Sequence, residues 1–191
     1  MTKRRATKIV ISSVTVLVFA LLGVGVQQNG SVSLPKKSEP VQPGYYKVLR
    51  VTDGDTIDVQ IAGQKETVRM IGIDTPEVKD PRKPVQCFGK VASAKTHELL
   101  DGKTVRLEGD PANNDRDKYH RLLRYVYLPD NTMVNEYLVQ NGYAFAYTLF
   151  PFSKLEEFRG YEKAAREQNK GLWGGCSVQQ DGEKKQTQDQ P

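Results

Sequence analysis

Three features are scarce in this 191-residue sequence, and each scarcity narrows what the protein can be. There are only two cysteines, Cys87 and Cys176, so no more than one internal disulfide can form. No internal repeat is visible, which argues against a repeat architecture. The middle of the chain also lacks a charge excess: residues 44–176 contain 20 basic and 19 acidic side chains, although the whole chain carries +5. Overall charge therefore says little about the substrate, which must be inferred from the site residues.

The one long apolar stretch lies near the N-terminus. Residues 9–26 carry no charge over 18 positions and follow basic residues at positions 3, 4, 5 and 8. About this length is the minimum for a membrane-spanning helix, and a basic flank stays cytoplasmic, which would export the rest of the chain. A buried core helix fits the flank poorly. No clear cleavage site follows, so we expect residues 1–26 to be a membrane anchor with an extracytoplasmic domain; the alternative is a cleaved signal peptide and a secreted protein.

The remaining chain divides into a linker, one domain and a tail. Residues 27–43 are polar and contain three prolines, which is typical of an extended linker. Residues 177–191 are rich in glutamine and charge and nearly free of apolar side chains, which predicts a disordered tail. Residues 44–176 form the domain.

Hydrophobic periodicity within this domain predicts short strands and three helices. The predicted strands are 45–51, 56–61, 67–73, 104–107 and 122–128, with a hairpin turn at 62–65. The predicted helices are 90–100, 133–140 and one that a capping box at 153–156 opens. This pattern suits an α+β fold that is mainly β: a five-stranded barrel of the OB type with three helices.

Three segments carry the chemistry: Asp-Gly-Asp-Thr at 53–56, the run from Arg69 to Glu77, and Asp-Lys-Tyr-His-Arg at 117–121. A hairpin would bring Asp55 and Asp74 to one rim, where their oxygens suit a hard cation such as Ca²⁺. Glu77 can reach the same rim as a base, and the Arg69 guanidinium can grip phosphate oxygens with two prongs. Together these groups indicate phosphate-ester hydrolysis. Taken singly, each segment is better explained by a turn, a polar loop or a solvated arginine.

The order and spacing of the three segments closely resemble the staphylococcal nuclease family, from about Tyr46 to Trp173. Later pieces of the sequence agree with that resemblance: Met133-Val134-Asn135-Glu136, Leu138-Val139 with Gly142, and Gly171-Leu172-Trp173. Any one of these pieces is weak evidence, whereas the whole set is highly specific.

The resemblance implies a metal centre. Asp55 and Asp74 would hold Ca²⁺ by their carboxylates, with the backbone carbonyl of Thr75 as a third protein ligand. Asp53 would lie next to these ligands without binding the metal itself. Glu77 would orient the attacking water and accept its proton.

The resemblance also implies how substrate is held. Arg69 and Arg121 would neutralise the charge that gathers on the phosphoryl oxygens. Lys118 and Tyr119 would contact substrate phosphates, and Tyr147 would flank a base. The implied partners are DNA and RNA, cleaved with little sequence preference to leave 3′-phosphate ends, with single-stranded or frayed substrate suiting an OB-type face. No protein partner is inferred. A rival interpretation is an inactive nucleic-acid-binding module, but the catalytic set is complete in this sequence.

Two further expectations concern His120 and the cysteines. His120 stands where the family often has glycine; it is expected to be an ordinary loop residue, with trimming of the substrate pocket as the alternative. In an exported chain Cys87 and Cys176 are expected to form a disulfide that ties the loop after Glu77 to the end of the last helix. Two free buried thiols are the alternative.

Overall fold

The computed structural model describes residues 44–78 and 84–190. The strands are β1 (Tyr45–Asp53), β2 (Thr56–Ile61), β3 (Gln64–Met70), β4 (Ile73–Asp74), β5 (Thr104–Glu108), β6 (Leu122–Tyr127), β7 (Phe145–Ala146), β8 (Val178–Asp181) and β9 (Lys184–Thr187). The helices are α1 (Gly89–Leu100), α2 (Val134–Gln140), α3 (Leu155–Glu167) and the single turn α4 (Leu172–Gly175).

Five of the strands close into a barrel in the order β1-β2-β3-β6-β5. All neighbours are antiparallel except β3 and β6, which run parallel. Ala62 and Gly63 both have positive φ angles, 47° and 80°, as the tight β2–β3 hairpin requires. Alternate residues such as Ile57 and Val59 point into the barrel and are fully buried. The prediction of a mainly β, five-stranded barrel with three helices is confirmed.

The third predicted strand is shorter than expected, and the difference shapes the site. It was expected to run through residue 73, but β3 ends at Met70 and the chain turns at Gly72, where φ is 73°. The short β4 then leaves the barrel and pairs with β7. A Cβ on Gly72 would lie 2.7 Å from the ring of Phe152, so this turn needs glycine both for its angle and for space.

The expected capping box at residues 153–156 is absent from α3. Ser153 lies before the helix start, and its hydroxyl donates to Asp110 Oδ1 at 2.9 Å. The backbone N–H of Ser153 donates to Asp110 Oδ2, and the Tyr125 hydroxyl donates to the same oxygen. Asp110 is buried, and a buried carboxylate without hydrogen bonds would cost much free energy. The Ser153 hydroxyl therefore pairs with Asp110 instead of capping α3.

Residues 177–191 were predicted to be a disordered tail, and this expectation is wrong for residues 178–187, which form the β8–β9 hairpin. The prediction relied on the lack of apolar residues. Backbone pairing and a shielded ion pair, Lys185 with Glu162 at 2.9 Å, attach this hairpin instead. The predicted disulfide between Cys87 and Cys176 is present, with Cα atoms 6.0 Å apart.

The predicted linker and the predicted anchor at residues 9–26 lie outside the described residues. Within 44–78 and 84–190, none of the helices has the length and apolar character needed to cross a bilayer.

Candidate active site

Two carboxylates converge on one guanidinium at the rim of the barrel. Arg69, on β3, places Nη2 3.1 Å from Asp55 Oδ2 and 3.0 Å from Asp74 Oδ1. Asp55 precedes β2 and Asp74 ends β4, so the β2–β3 hairpin and the turn at Gly72 together assemble the group. Arg69 is fixed further because its Nη1 donates to the carbonyl of Ile73 at 2.8 Å. The structure therefore brings together the two predicted metal ligands and one predicted arginine.

Asp55 is held firmly by its neighbours. Its Oδ1 accepts from the Thr56 hydroxyl at 2.8 Å, and its Oδ2 lies 3.3 Å from the backbone nitrogen of Thr75. A Cβ on Gly54 would come within 2.6 Å of the Thr75 hydroxyl oxygen, so the glycine allows the two loops to touch. The Thr96 hydroxyl of α1 donates to the carbonyl of Gly54 and pins that loop from behind.

The site concentrates negative charge around Asp74. Burial, then the neighbouring charge of Asp55, raises the pKa of Asp74 to about 7, although Arg69 partly offsets this. The charges of Glu77 and Asp53 raise the pKa of Asp74 as well, so both carboxylates lie near enough to repel the charged form of Asp74. The predicted supporting residue Asp53 also accepts from the Gly54 backbone N–H at 2.8 Å. The charge of Arg69 therefore offsets only part of the effect of these carboxylates on Asp74.

A divalent cation fits this arrangement. Asp55 and Asp74 offer hard carboxylate oxygens at one point, and a cation would relieve the repulsion that raises the pKa of Asp74. Thr75 lies directly against Asp55, with its backbone nitrogen 3.3 Å from Asp55 Oδ2. In residues 44–78 and 84–190, no group of three or more His, Cys, Asp or Glu side chains is arranged to hold a metal, so a cation here would also need backbone or water oxygens.

Glu77 stands in the loop that follows β4. Its backbone N–H donates to Gln86 Oε1 at 2.9 Å, and its side-chain Oε1 accepts from the Val78 backbone N–H at 3.0 Å. A Cβ on Gly89 would come within 3.0 Å of the Glu77 carbonyl, so the start of α1 also packs closely against this loop.

The second predicted arginine is carried by a loop organised around Asp117. Asp117 Oδ2 lies 2.7 Å from both Nε and Nη2 of Arg121, which makes a two-pronged pair. Asp117 Oδ1 accepts from the backbone N–H groups of Arg121 and Tyr119. Burial alone would raise the pKa of Asp117, but these hydrogen bonds outweigh it and the pKa is lowered. The Arg121 guanidinium lies 5.4 Å from the centre of the Tyr119 ring.

A cavity of about 800 Å³ joins the two arginines. Its walls contain all the residues predicted to contact substrate, so cationic and aromatic groups face one open space. These residues are Arg69, Lys118, Tyr119, Arg121 and Tyr147. The backbone N–H of Tyr147 donates to the Gly72 carbonyl at 2.8 Å, which ties this wall to the turn that positions Asp74.

Comparison with known proteins agrees with the geometry. A family model described as staphylococcal nuclease homologue matches residues 67–175. The thermonuclease of Staphylococcus intermedius is 37% identical over 172 residues, which covers 90% of this chain and 98% of that protein. The chain belongs to the staphylococcal nuclease family.

Other members of the family are similar over the same domain. The thermonuclease of Staphylococcus hyicus is 43% identical over 129 residues, covering 67% of this chain and 75% of that protein. Endonuclease YncB of Bacillus subtilis (strain 168) is 42% identical over 145 residues, covering 72% of this chain and 68% of that protein.

Two apolar residues in the cavity wall were not predicted from the sequence. Leu149 and Phe150 are more than half exposed, at 52% and 59%, and the Phe150 ring lies 6.0 Å from the Tyr147 ring. Large exposed apolar side chains beside cationic groups suit the faces of nucleic-acid bases. The signal in the sequence was the run Leu149-Phe150-Pro151-Phe152, in which only Phe152 is buried. Periodicity alone could not show which of these side chains point outwards.

Proposed function

We propose that the protein is a Ca²⁺-dependent endonuclease that hydrolyses phosphodiester bonds of DNA and RNA with little sequence preference, leaving 3′-phosphate ends. The observation that carries the proposal is the convergence of Asp55 and Asp74 on Arg69 at the edge of a cavity that also holds Arg121. The chain belongs to the staphylococcal nuclease family, and its relatives include a thermonuclease and an endonuclease; both facts support phosphodiester hydrolysis.

The proposed metal centre would consist of two carboxylates and a backbone oxygen. Asp55, Asp74 and the Thr75 carbonyl would hold Ca²⁺, which when bound supplies positive charge to the phosphoryl oxygen and makes a coordinated water more acidic. Glu77 lies close enough for its charge to raise the pKa of Asp74. In this proposal its carboxylate orients the attacking water and accepts its proton.

The two arginines approach the reacting phosphate from different elements. Arg69 lies beside the carboxylates and lines the cavity, whereas Arg121 is presented from the opposite loop by Asp117. As the phosphoryl oxygens gain charge, two guanidinium groups stabilise it without moving, which is how preorganised donors lower a barrier. The bond between phosphorus and the 5′ oxygen breaks, the 5′ oxygen takes up a proton from solvent, and the phosphate stays on the 3′ oxygen.

The rest of the cavity suits a flexible strand. Lys118 and Tyr119 would contact neighbouring phosphates, and Tyr147 with Phe150 offers aromatic faces to a base. Because bases are available for stacking only when unpaired, we propose that single-stranded or frayed nucleic acid is preferred.

The location of the protein is also a proposal. The Cys87–Cys176 disulfide suits an exported protein, because disulfides persist in oxidising compartments. Residues 9–26 would anchor the protein in the membrane, or the protein would be secreted if they are removed. Cell fractionation with thiol-alkylation mass spectrometry would test this; a cytosolic protein with two free thiols would contradict it.

Nuclease activity in defined metal tests the main proposal. We expect strong activity in Ca²⁺, none in chelator, and weak activity in Mg²⁺, whose stricter octahedral shell would displace the water. Equal turnover in Mg²⁺ and Ca²⁺ would contradict the choice of metal. Binding to single-stranded DNA with no cleavage in any metal would indicate the inactive binding module instead.

A further inference from the structure

The backbone of Glu77 is held on both sides by one residue. Gln86 Oε1 accepts from the Glu77 N–H at 2.9 Å, and the Gln86 N–H donates to the Glu77 carbonyl, also at 2.9 Å. Two hydrogen bonds to one residue fix both the position and the orientation of its peptide groups. Gln86 therefore fixes the backbone point from which the Glu77 side chain extends.

Gln86 in turn belongs to a short segment that pairs with the C-terminus. The Cys87 N–H donates to the Gln188 carbonyl and the Gln190 N–H donates to the Val85 carbonyl, each at 2.7 Å. Between them Gln86 and Asp189 form an antiparallel bridge. The segment that holds Glu77 is therefore paired with residues 188–190, which directly follow the β8–β9 hairpin.

The hairpin itself is locked to the body of the domain. Lys185 Nζ lies 2.9 Å from Glu162 Oε2 on α3 and donates to the Ala146 carbonyl at 3.2 Å, and both charged side chains are about 10% exposed. Glu162 Oε1 accepts the Ala146 N–H at 2.9 Å. The buried Thr187 donates its hydroxyl to the Cys87 carbonyl at 2.8 Å. These contacts are shielded from water, so they resist opening more than surface contacts do.

We propose that Gln86 is a positioning residue for Glu77, and that the β8–β9 hairpin together with the Cys87–Cys176 disulfide holds Gln86 in register. The inference rests on the proposed function, because it assumes that Glu77 acts on the attacking water. A general base must be placed within fractions of an ångström to work, and a loop residue needs an external support to reach that precision. The C-terminal segment is thus a functional part of this nuclease.

The first experiment compares Gln86→Ala with Gln86→Glu in the full chain, measuring kcat and KM with Ca²⁺ and single-stranded DNA. Alanine removes the acceptor for the Glu77 N–H, so we expect kcat to fall by ~10–100-fold, as misplacing a catalytic group by about 1 Å does, with KM unchanged. Glutamate keeps an acceptor oxygen at the same reach and should recover most of the loss. A folded Gln86→Ala variant with normal kcat, or an equal fall with both substitutions, would overturn the proposal.

A double-variant cycle separates this inference from the proposed function. In a Glu77→Gln background, Gln86→Ala should cause no further loss of kcat, because it acts only through Glu77. Losses that multiply would show that Gln86 acts independently of Glu77 and would overturn the positioning role. If Glu77→Gln alone leaves kcat unchanged, the proposed role of Glu77 has failed.

The hairpin is tested by two adjacent lysines. Lys185→Met removes the shielded contacts with Glu162 and Ala146, and should lower kcat several-fold without changing KM. Lys184→Met, at an exposed neighbouring position, is the matched control and should behave as the unmodified protein. In the Gln86→Ala background the effect of Lys185→Met on kcat should disappear. A Lys185→Met protein that is folded at the assay temperature and keeps full kcat would overturn the role of the hairpin.

Discussion

The two halves of the candidate site are built in different ways. Asp55 and Arg69 stand at the ends of the barrel strands β2 and β3, and Asp74 ends the short β4 that follows; the Arg69 side chain is only 14% exposed. Arg121 lies in a loop, is 29% exposed and depends chiefly on a single carboxylate, Asp117. The barrel half therefore comes with the fold itself, whereas the loop half depends on a few local contacts. Damage to the first should affect folding and activity together, and damage to the second should affect chiefly activity.

Replacing each arginine with alanine is the strongest test of this difference. Arg69→Ala and Arg121→Ala should each lower kcat by ~10³-fold or more, since both lose an interaction that strengthens in the transition state. Arg69→Ala should also lower the melting temperature in metal-free buffer, because Asp55 and Asp74 are left facing each other. Arg121→Ala should lower the melting temperature much less, because two backbone N–H groups still donate to Asp117 Oδ1. The measurements are steady-state kinetics and calorimetry.

Lys118→Ala is the control, because it removes an exposed positive charge from the same loop. It should chiefly raise KM. If Arg69→Ala and Arg121→Ala shift the melting temperature equally, the proposed difference between the two halves is wrong. A near-normal rate in either variant would remove that arginine from the catalytic set.

Reducing the disulfide should affect the loop that carries Glu77 more than the barrel half of the site. The bridge joins residues 89 positions apart, and closing such a loop contributes about 4–5 kcal/mol in the chain-entropy model. A domain of this size shifts by roughly 2–8 °C per kcal/mol, so the melting temperature should fall by several degrees or more. Hydrogen exchange before global unfolding should quicken at the backbone amides of Glu77 and Gln86, but not at those of β2 and β3.

Cys87→Ser with Cys176→Ser is the matching variant, and reductant should have no effect on it. Equal acceleration of exchange in the barrel strands would show that the bridge supports the whole domain rather than the loop.

A smaller effect is expected from the apolar wall of the cavity. Phe150→Ala should raise KM for single-stranded DNA by about tenfold with little change in kcat, because stacking of one base contributes ~1–3 kcal/mol. Val91→Ala, which shortens another exposed apolar side chain away from this cavity, serves as the control and should change neither constant. A fall in kcat for Phe150→Ala at constant KM would assign Phe150 to the chemical step.

The same contrast explains which features could be predicted from sequence. Alternating apolar residues and the turn at Ala62-Gly63 specify the barrel, since each strand must bury one face. The site motifs were recognisable because the order and spacing of the three segments together resemble the staphylococcal nuclease family. The β8–β9 hairpin was missed because its attachment uses backbone pairing and the Lys185–Glu162 pair, neither of which leaves an apolar pattern. Gln86 was missed because a lone glutamine carries no signal until its partner in space is known.

The smallest effect, and the finest test of the loop half, concerns His120. Its φ angle is 63°, so this residue does occupy the left-handed region that glycine prefers. His120→Gly should relieve about 1 kcal/mol of backbone strain in the folded state. Glycine also loses more conformational entropy on folding, which costs ~0.5–1 kcal/mol, so the free energy of unfolding should stay almost unchanged. The contacts that hold the turn use backbone atoms: the His120 N–H donates to the Asp117 carbonyl at 3.0 Å, and its carbonyl accepts from Arg116 at 2.8 Å.

Glycine keeps both of these contacts. The imidazole is exposed, and the cavity wall is formed by the neighbours Tyr119 and Arg121 rather than by His120. We therefore expect kcat and KM of His120→Gly to match those of the unmodified protein. Asn131→Gly, at another left-handed position with φ of 66°, is the matched control for the backbone effect. A KM for single-stranded DNA that changes in His120→Gly but not in Asn131→Gly would mean that the imidazole reaches the substrate and trims the pocket after all.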